Sequence, residues 1–228
     1  MVANRTCAVV VTFHPDAEVL DNLDKLRAQV QALVVVDNGS SPESLNLLRR
    51  ANSKIQFELI ENGENLGIAT ALNIGVRWAE HNSYHWVILF DQDSTVTDGF
   101  MDTMIHAFES SLHRDRLAIL VPRYVDKRLG KTLPRVLVRT GGLEAAMTSG
   151  SLMLLSSFRK HGPFEDDLFI DAVDYEHSLR LRSTGCLIEE CQQAILLHSP
   201  GTPRIHRFYG LYLFTTSNYS PLRRYYQE

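Results

Sequence analysis

Trp86-Val87-Ile88-Leu89-Phe90-Asp91-Gln92-Asp93-Ser94 is the stretch on which the reading of this chain turns. Five bulky apolar residues in a row describe a strand buried on both faces. Two carboxylates then arrive where such a strand ends. Carboxylates one residue apart cannot both enter a core, because each buried charge would need a partner. They face a cleft, where a hard divalent cation is a natural partner. A polar turn, with Asp93 or Ser94 capping a following helix, is the alternative for a lone D-x-D.

The chain before this stretch repeats one theme. Ala8 to Phe13 is a β-branched run and reads as a first strand. Pro15 and Asp16 suit the first turn of a helix, and Val19, Leu23, Leu26 and Val30 mark its inner face. Leu33 to Val36 is a second buried strand, stopped by Asp37-Asn38-Gly39-Ser40. Ser41-Pro42-Glu43 opens another helix with Leu45 and Leu48 inward, and the alternation of Ile55, Phe57 and Leu59 predicts a third strand. Asn65-Leu66-Gly67 leads into a helix faced by Leu72, Val76 and Ala79. Strands alternating with helices, without tandem hairpins, predict a parallel sheet with helices on both faces. Ligands gather beyond the carboxyl ends of such strands. Thr12, Asp37, Asn38, Asp91 and Asp93 are therefore expected around one crevice. Neither G-x-G-x-x-G nor G-x-x-x-x-G-K-[ST] occurs, so the common dinucleotide and P-loop devices are absent.

After Asp93 a helix with Met101, Met104, Ile105 and Phe108 inward is predicted, then a strand over Leu117 to Val121. The basic segment 122–140 reads as a loop or short hairpin over the sheet. Thr148 to Leu155 reads as a strand with Gly150 at a close approach. Asp171 to Thr184 reads as a helix with its lead-in, stopped by Gly185, and Ala194 to Leu197 as a short strand before His198. Asp171-Ala172-Val173-Asp174-Tyr175-Glu176 admits two readings. Asp171 or Asp174 can cap the helix while Glu176 pairs with Arg180, or a general base is held at a helix start.

Composition narrows the classes. The 228 residues are 44% hydrophobic, enough for one large α/β domain or two small ones, and the formal charge of −4 does not suggest a nucleic-acid partner. No apolar run reaches the length of a membrane span, and no signal-peptide pattern opens the chain. Cys7, Cys186 and Cys191 lack zinc-type spacing and suit reduced thiols, hence a cytoplasmic expectation.

Taken together, the motifs resemble those of inverting glycosyltransferases of family 2 with the GT-A fold, and within them the bacterial rhamnosyltransferases of cell-surface polysaccharide assembly. The carriers are Val35-Val36-Asp37-Asn38-Gly39-Ser40, Asn65-Leu66-Gly67-Ile68-Ala69, Leu89 to Ser94, Thr148-Ser149-Gly150-Ser151, Gly162-Pro163-Phe164, and Phe169 to Glu176 with Leu179-Arg180. The resemblance implies a single domain over 1–228: a nucleotide-binding half near 1–95, an acceptor and catalytic half near 96–203, and a C-terminal segment 204–228. It implies that Thr12, Phe13, Asp37, Asn38, Asn65, Gly67, Asp91 and Gln92 bind the donor, a deoxythymidine-diphosphate rhamnose or a UDP-sugar. Asp91 and Asp93 would hold Mn²⁺ or Mg²⁺, with His198 as a third ligand or else a loop histidine bonded to backbone. Asp174 would be the general base, with Asp171 its rival. Asp171 and Glu176 would bind a saccharide or lipid-linked saccharide acceptor.

Members of the family usually continue beyond Glu228, so a truncated end is expected. From Arg204 to Tyr226 there are four arginines and seven aromatics with no acid, which predicts a peripheral membrane contact through residues such as Arg223 and Arg224. Two other classes stay open at this point. Asp91-Gln92-Asp93-Ser94-Thr95 also fits a haloacid-dehalogenase-type, Mg²⁺-dependent phosphatase, with Asp91 as nucleophile and Asp93 as acid/base. A non-catalytic nucleotide-sugar-binding module is the other.

Overall fold

Every one of the seven residues of β1 (Thr6–Thr12) is buried. The reason is its position: β2 (Ala32–Asp37) pairs with it in parallel on one side and β4 (Trp86–Asp91) on the other. Its side chains alternate between two cores, as the period of a strand requires. Ala8 and Val10 join Leu23, Met104 and Phe108 on one face, whereas Cys7, Val9 and Val11 join Leu72 and Val76 on the other. The computed structural model describes residues 5–138, 141–170 and 172–198, together with the backbone of two further strands beyond them. Asp171, Arg223 and Arg224 lie outside the described residues.

The helices between these strands are α1 (Glu18–Arg27), α2 (Pro42–Ile55) and α3 (Ile68–His81). Asp16 Oδ1 accepts the N–H of Glu18 at 2.9 Å, and Ser41 Oγ caps α2 by accepting from Ser44 N at 3.4 Å. The later elements are β5 (Thr95–Val96), α4 (Phe100–Ser110), β6 (Leu117–Asp126), β7 (Leu152–Leu154), α5 (Leu155–His161), α6 (Val173–Ser183) and β8 (Leu187–His198). With β3 (Glu58–Glu61) they complete one eight-stranded sheet in the order β3-β2-β1-β4-β7-β6-β8-β5. Strand β7 runs antiparallel to β4 and β6, and β5 antiparallel to β8; the other pairings are parallel. Strands β9 (Pro203–Phe208) and β10 (Leu211–Ser217) form a separate antiparallel pair. Among the described residues no helix is long and apolar enough to cross a membrane.

Several expected elements are different in the structure. The third strand is Glu58–Glu61 alone, because Ile55 ends α2 and Gln56 takes a left-handed turn (φ 61°) that closes the helix. Leu45 is only half-buried. Pro122 to Asp126 prolongs β6 rather than looping away, and a hairpin return follows, with Leu133 N donating to Tyr124 O at 2.9 Å. The strand expected from Thr148 shrinks to β7, because Thr148–Ser151 is a turn. Gly150 sits there at φ +85°, where an added Cβ would meet the Pro122 ring at 2.7 Å. The short strand expected at Ala194 is the end of the twelve-residue β8. The helix over the acidic cluster and its stop at Gly185 stand as expected, with Gly185 at φ +84° after the last turn.

Candidate active site

The chain builds outward from β1 in both directions, towards β2 on one side and β4 on the other. Such a switch point opens a crevice at the carboxyl ends of the strands. A cleft of about 620 Å³ lies there, bounded by Phe13, Asn38, Asp91, Asp93, Phe169 and Asp174, among others. A second hollow of about 570 Å³ lies at the other end of the sheet, where β2 and β3 begin at Ala32 and Glu58. None of the candidate catalytic or metal-binding carboxylates lines that hollow.

One wall of the cleft is built from the ends of β1 and β2. Thr12 and Asp37 are neighbours in register and fully buried, behind the lining rather than in it. Thr12 Oγ1 donates to Asp37 Oδ1 at 3.3 Å, and Ser40 N to Asp37 Oδ2 at 3.0 Å. Asn38 is a hub. Its amide nitrogen donates to Asn65 Oδ1 (2.9 Å) and Gly67 O (3.2 Å), and its amide oxygen accepts from Asn62 Nδ2 (3.0 Å) and Leu66 N (3.1 Å). That is the full hydrogen-bonding capacity of its two donors and two acceptor directions. Gly67, at φ +84°, presses so closely on Phe169 that a Cβ would lie 2.5 Å from its carbonyl oxygen. Asn38, Asn65 and Gly67 thus shape this wall through one another. Phe13, 43% exposed, stands at the mouth beside His14, with ring centroids 4.1 Å apart. Gln92 clasps the Phe13 backbone: its Oε1 accepts Phe13 N–H at 2.9 Å and its Nε2 donates to Phe13 O at 3.3 Å.

Asp91, Asp93 and His198 converge although the last is more than a hundred residues away in sequence. The cause is the antiparallel pairing of Thr95 with Leu197, which carries the end of β8 alongside the Asp91–Asp93 turn. One ligand atom from each of the three lies within 4.8 Å of the others. Two carboxylate oxygens and an imidazole nitrogen suit a hard or borderline divalent cation such as Mn²⁺ or Mg²⁺. Two buried serines brace this group. Ser149 Oγ accepts Asp91 N–H at 3.1 Å and pairs with Ser94 Oγ at 2.7 Å, and Ser94 Oγ lies 3.2 Å from His198 Nδ1. Lys127 Nζ donates to the Asp93 carbonyl at 2.6 Å, and its backbone N–H to His198 O at 3.0 Å. Outer hydrogen bonds of this kind orient metal ligands. Ser149→Ala is therefore expected to weaken Mn²⁺ binding about tenfold, read by electron paramagnetic resonance of the unbound ion. Unchanged affinity would show that the serine pair does not orient the ligands.

On the facing wall, Asp174 occupies the first turn of α6, which starts after Ala172 at φ 63°. The unsatisfied N–H groups of a helix start attract a carboxylate. Asp174 is half-buried and lines the cleft together with Asp91 and Asp93. Tyr124 is within the electrostatic reach of these acids: burial, then the charges of Asp91 and Asp174, raise its hydroxyl well above the ordinary range. It stays protonated and donates to Ser149 O at 2.8 Å. Glu176 stands elsewhere. Arg180 grips it with two hydrogen bonds of 2.7 and 2.9 Å, which hold the carboxyl below its usual range. Arg180 also bonds the carbonyls of His161 and Pro163, so the pair fastens α5 to α6 and does not line the cleft. An acceptor contact at Glu176 would be made by a carboxyl already held in this ion pair.

Residues 7–140 match the family model described as Glycosyl transferase family 2. The chain belongs to that family. A dTDP-rhamnosyl transferase, RfbF of Shigella flexneri, is 28% identical over 96% of this chain and 76% of its own length. Among solved structures, S. aureus TarS 1-349 in complex with UDP-GlcNAc superposes on 87% of this chain with a TM-score of 0.67 at 14% identity. A mannosyltransferase of Pyrobaculum calidifontis in complex with GDP-Man and Mn²⁺ gives 0.64 over 87% at 16% identity. The chain spans 60% and 57% of these two crystallised chains. The fold of this family 2 glycosyltransferase is thus the GT-A fold, a mostly parallel sheet flanked by helices.

Sequence reasoning misses the bracing residues of this glycosyltransferase. Ser149 belongs to a recognised motif and Lys127 to a basic segment, but their roles depend on contacts across 58 and 34 residues. Met147 and Ile170, which also line the cleft, carry no chemical signature in sequence.

Proposed function

We propose that this family 2 enzyme moves a sugar, L-rhamnose in the first instance, from a nucleoside diphosphate to a saccharide or lipid-linked saccharide in cell-surface polysaccharide synthesis. The observation that carries the reading is that Asp91, Asp93 and Asp174 line one cleft at the switch point of the sheet. The 28% identity with a dTDP-rhamnosyl transferase over most of the chain supports the donor.

Each wall of the cleft has its own task. Phe13 offers an exposed ring face to the base. Asp37 lies behind the cleft lining, with one hydrogen bond accepted on each oxygen, and would have acceptor capacity left for the N3–H of a thymine or uracil inserted past Phe13. Asn38, Asn65 and Gly67 keep the adjoining wall in place, and Gln92 keeps Phe13 at the mouth. Asp91, Asp93 and His198 would hold Mn²⁺ or Mg²⁺, whose charge stabilises the departing diphosphate. Asp174 takes the proton of the acceptor hydroxyl as that oxygen attacks the anomeric carbon from the face opposite the diphosphate. A single displacement inverts the anomeric configuration. Asp171 and Glu176 would serve the acceptor. The enzyme would work in the cytoplasm, meeting a lipid-linked acceptor peripherally at the membrane.

The test is calorimetric titration with dTDP-rhamnose, UDP-sugars, GDP-mannose and a CMP-sugar, each with Mn²⁺ and with chelator. dTDP-rhamnose is expected to bind best, UDP-sugars next, and both more tightly with metal. A clear preference for the guanine or cytosine nucleotides would overturn the donor assignment, because Asp37 would then face the wrong base edge.

A further inference from the structure

His177 follows the proposed base by three residues on α6 and is 2% exposed. Its Nε2 is buried without a hydrogen-bond partner among the described residues. An orphaned polar atom in a core is destabilising and calls for a reason. The ring cannot swing out to find a partner, because Phe164 packs against it at 4.5 Å between centroids and Phe158 at 6.2 Å. Burial pushes its pKa down to about 4, so the imidazole is neutral and carries one proton.

A small cavity adjoins it. Its volume is about 10 Å³, and Thr148, Ser151, Asp174, His177 and Ser178 contribute to its lining. A space of about 10–15 Å³ is the size that admits one water, provided polar partners surround it. Asp174 and Thr148 line both this cavity and the cleft, so the two residues stand between them. Two of the three neighbouring hydroxyls are committed as donors: Ser178 Oγ to Asp174 O at 2.7 Å and Ser151 Oγ to Met147 O at 2.6 Å. Either can still accept, but neither can supply a proton to the space. With its proton on Nε2, His177 can.

We propose that this cavity is a single-water site, and that the water passes a hydrogen bond from His177 Nε2–H to the Asp174 carboxylate. His177 is then a positioning residue. It holds the carboxylate from behind while the cleft side meets the acceptor hydroxyl. This role rests on the reading of Asp174 as the base; the water site itself does not.

The experiment has a structural and a kinetic arm. A high-resolution crystal structure of the wild-type chain is expected to show one ordered water within hydrogen-bond distance of both His177 Nε2 and an Asp174 oxygen. His177→Phe keeps a ring between Phe158 and Phe164 but has no donor. It should lower kcat for transfer about tenfold, the scale of one hydrogen bond to a charged group, with donor Kd unchanged. His177→Gln should recover most of that loss. A dry cavity, or a Nε2 bonded directly to protein, overturns the proposal. So does an unchanged kcat in His177→Phe when Asp174→Asn is inactive. An active Asp174→Asn would instead remove the base reading and leave the crystallographic arm to decide the water site.

Discussion

Asp174→Asn is expected to leave nucleotide-sugar binding within about twofold of wild type while transfer falls by about 10²-fold or more, the usual scale for loss of a general base. The substitution preserves size and the hydrogen bond that Asp174 Oδ1 accepts from Tyr175 N at 2.9 Å, so α6 keeps its first turn. What disappears is the capacity to accept the acceptor's proton. Donor binding should survive because the Asp91–Asp93 turn and the Asp37 wall are carried by other elements, β4 and β2. Calorimetry with nucleotide and Mn²⁺ reads the first quantity, and release of nucleoside diphosphate in the presence of acceptor reads the second. The same change at Asp171 should cost less. If Asp171→Asn is silent and Asp174→Asn turns over normally, the two roles are exchanged.

The difference between legible and hidden parts of the fold has a physical cause. β1, β2 and β4 are covered on both faces, so their sequences are continuous apolar runs of strand length. β8 is twelve residues long yet legible only at its end, because Glu189-Glu190 and Gln192-Gln193 interrupt the pattern. The glutamates are tolerated there because each finds a local partner, His113 and Ser111 for Glu189 and Arg135 for Glu190. β5 and β7 have two and three residues and exist only through their neighbours, so no local period announces them.

The site divides along the same line. Asp91 and Asp93 stand out because two charges at the end of a buried strand have to face a cleft or solvent, and Asp174 because it begins a helix. Glu176 illustrates the opposite case. Its spacing to Arg180 equally suits an i,i+4 ion pair, and the bidentate grip is what the structure holds. The proximity of His198 to the two aspartates follows from the Thr95–Leu197 pairing, a tertiary event that leaves no mark on spacing.

That pairing bears on the second large effect. Asp93→Ala is expected to abolish most of the metal-dependent part of dTDP or UDP binding, a loss of about tenfold or more in affinity, in keeping with removal of one charged ligand. The Asp93 side chain is 46% exposed, so its truncation removes little packing. The contact that positions the turn, Lys127 Nζ to the Asp93 carbonyl, is made to the backbone and survives the change. Ser94 and its link to Ser149 also remain. Melting temperature should therefore stay close to that of wild type, while nucleotide affinity becomes nearly the same in Mn²⁺ and in chelator. His198→Ala should act in the same direction but more weakly, since a neutral imidazole offsets less of the cation's charge than a carboxylate. Equal nucleotide affinity for wild type with Mn²⁺ and with EDTA would sink the assignment outright. The three residues would then be a polar turn held to the end of β8, and the charge that stabilises the leaving diphosphate would have to come from cationic side chains, with Lys127, already on the Asp93 turn, the first to replace by Ala.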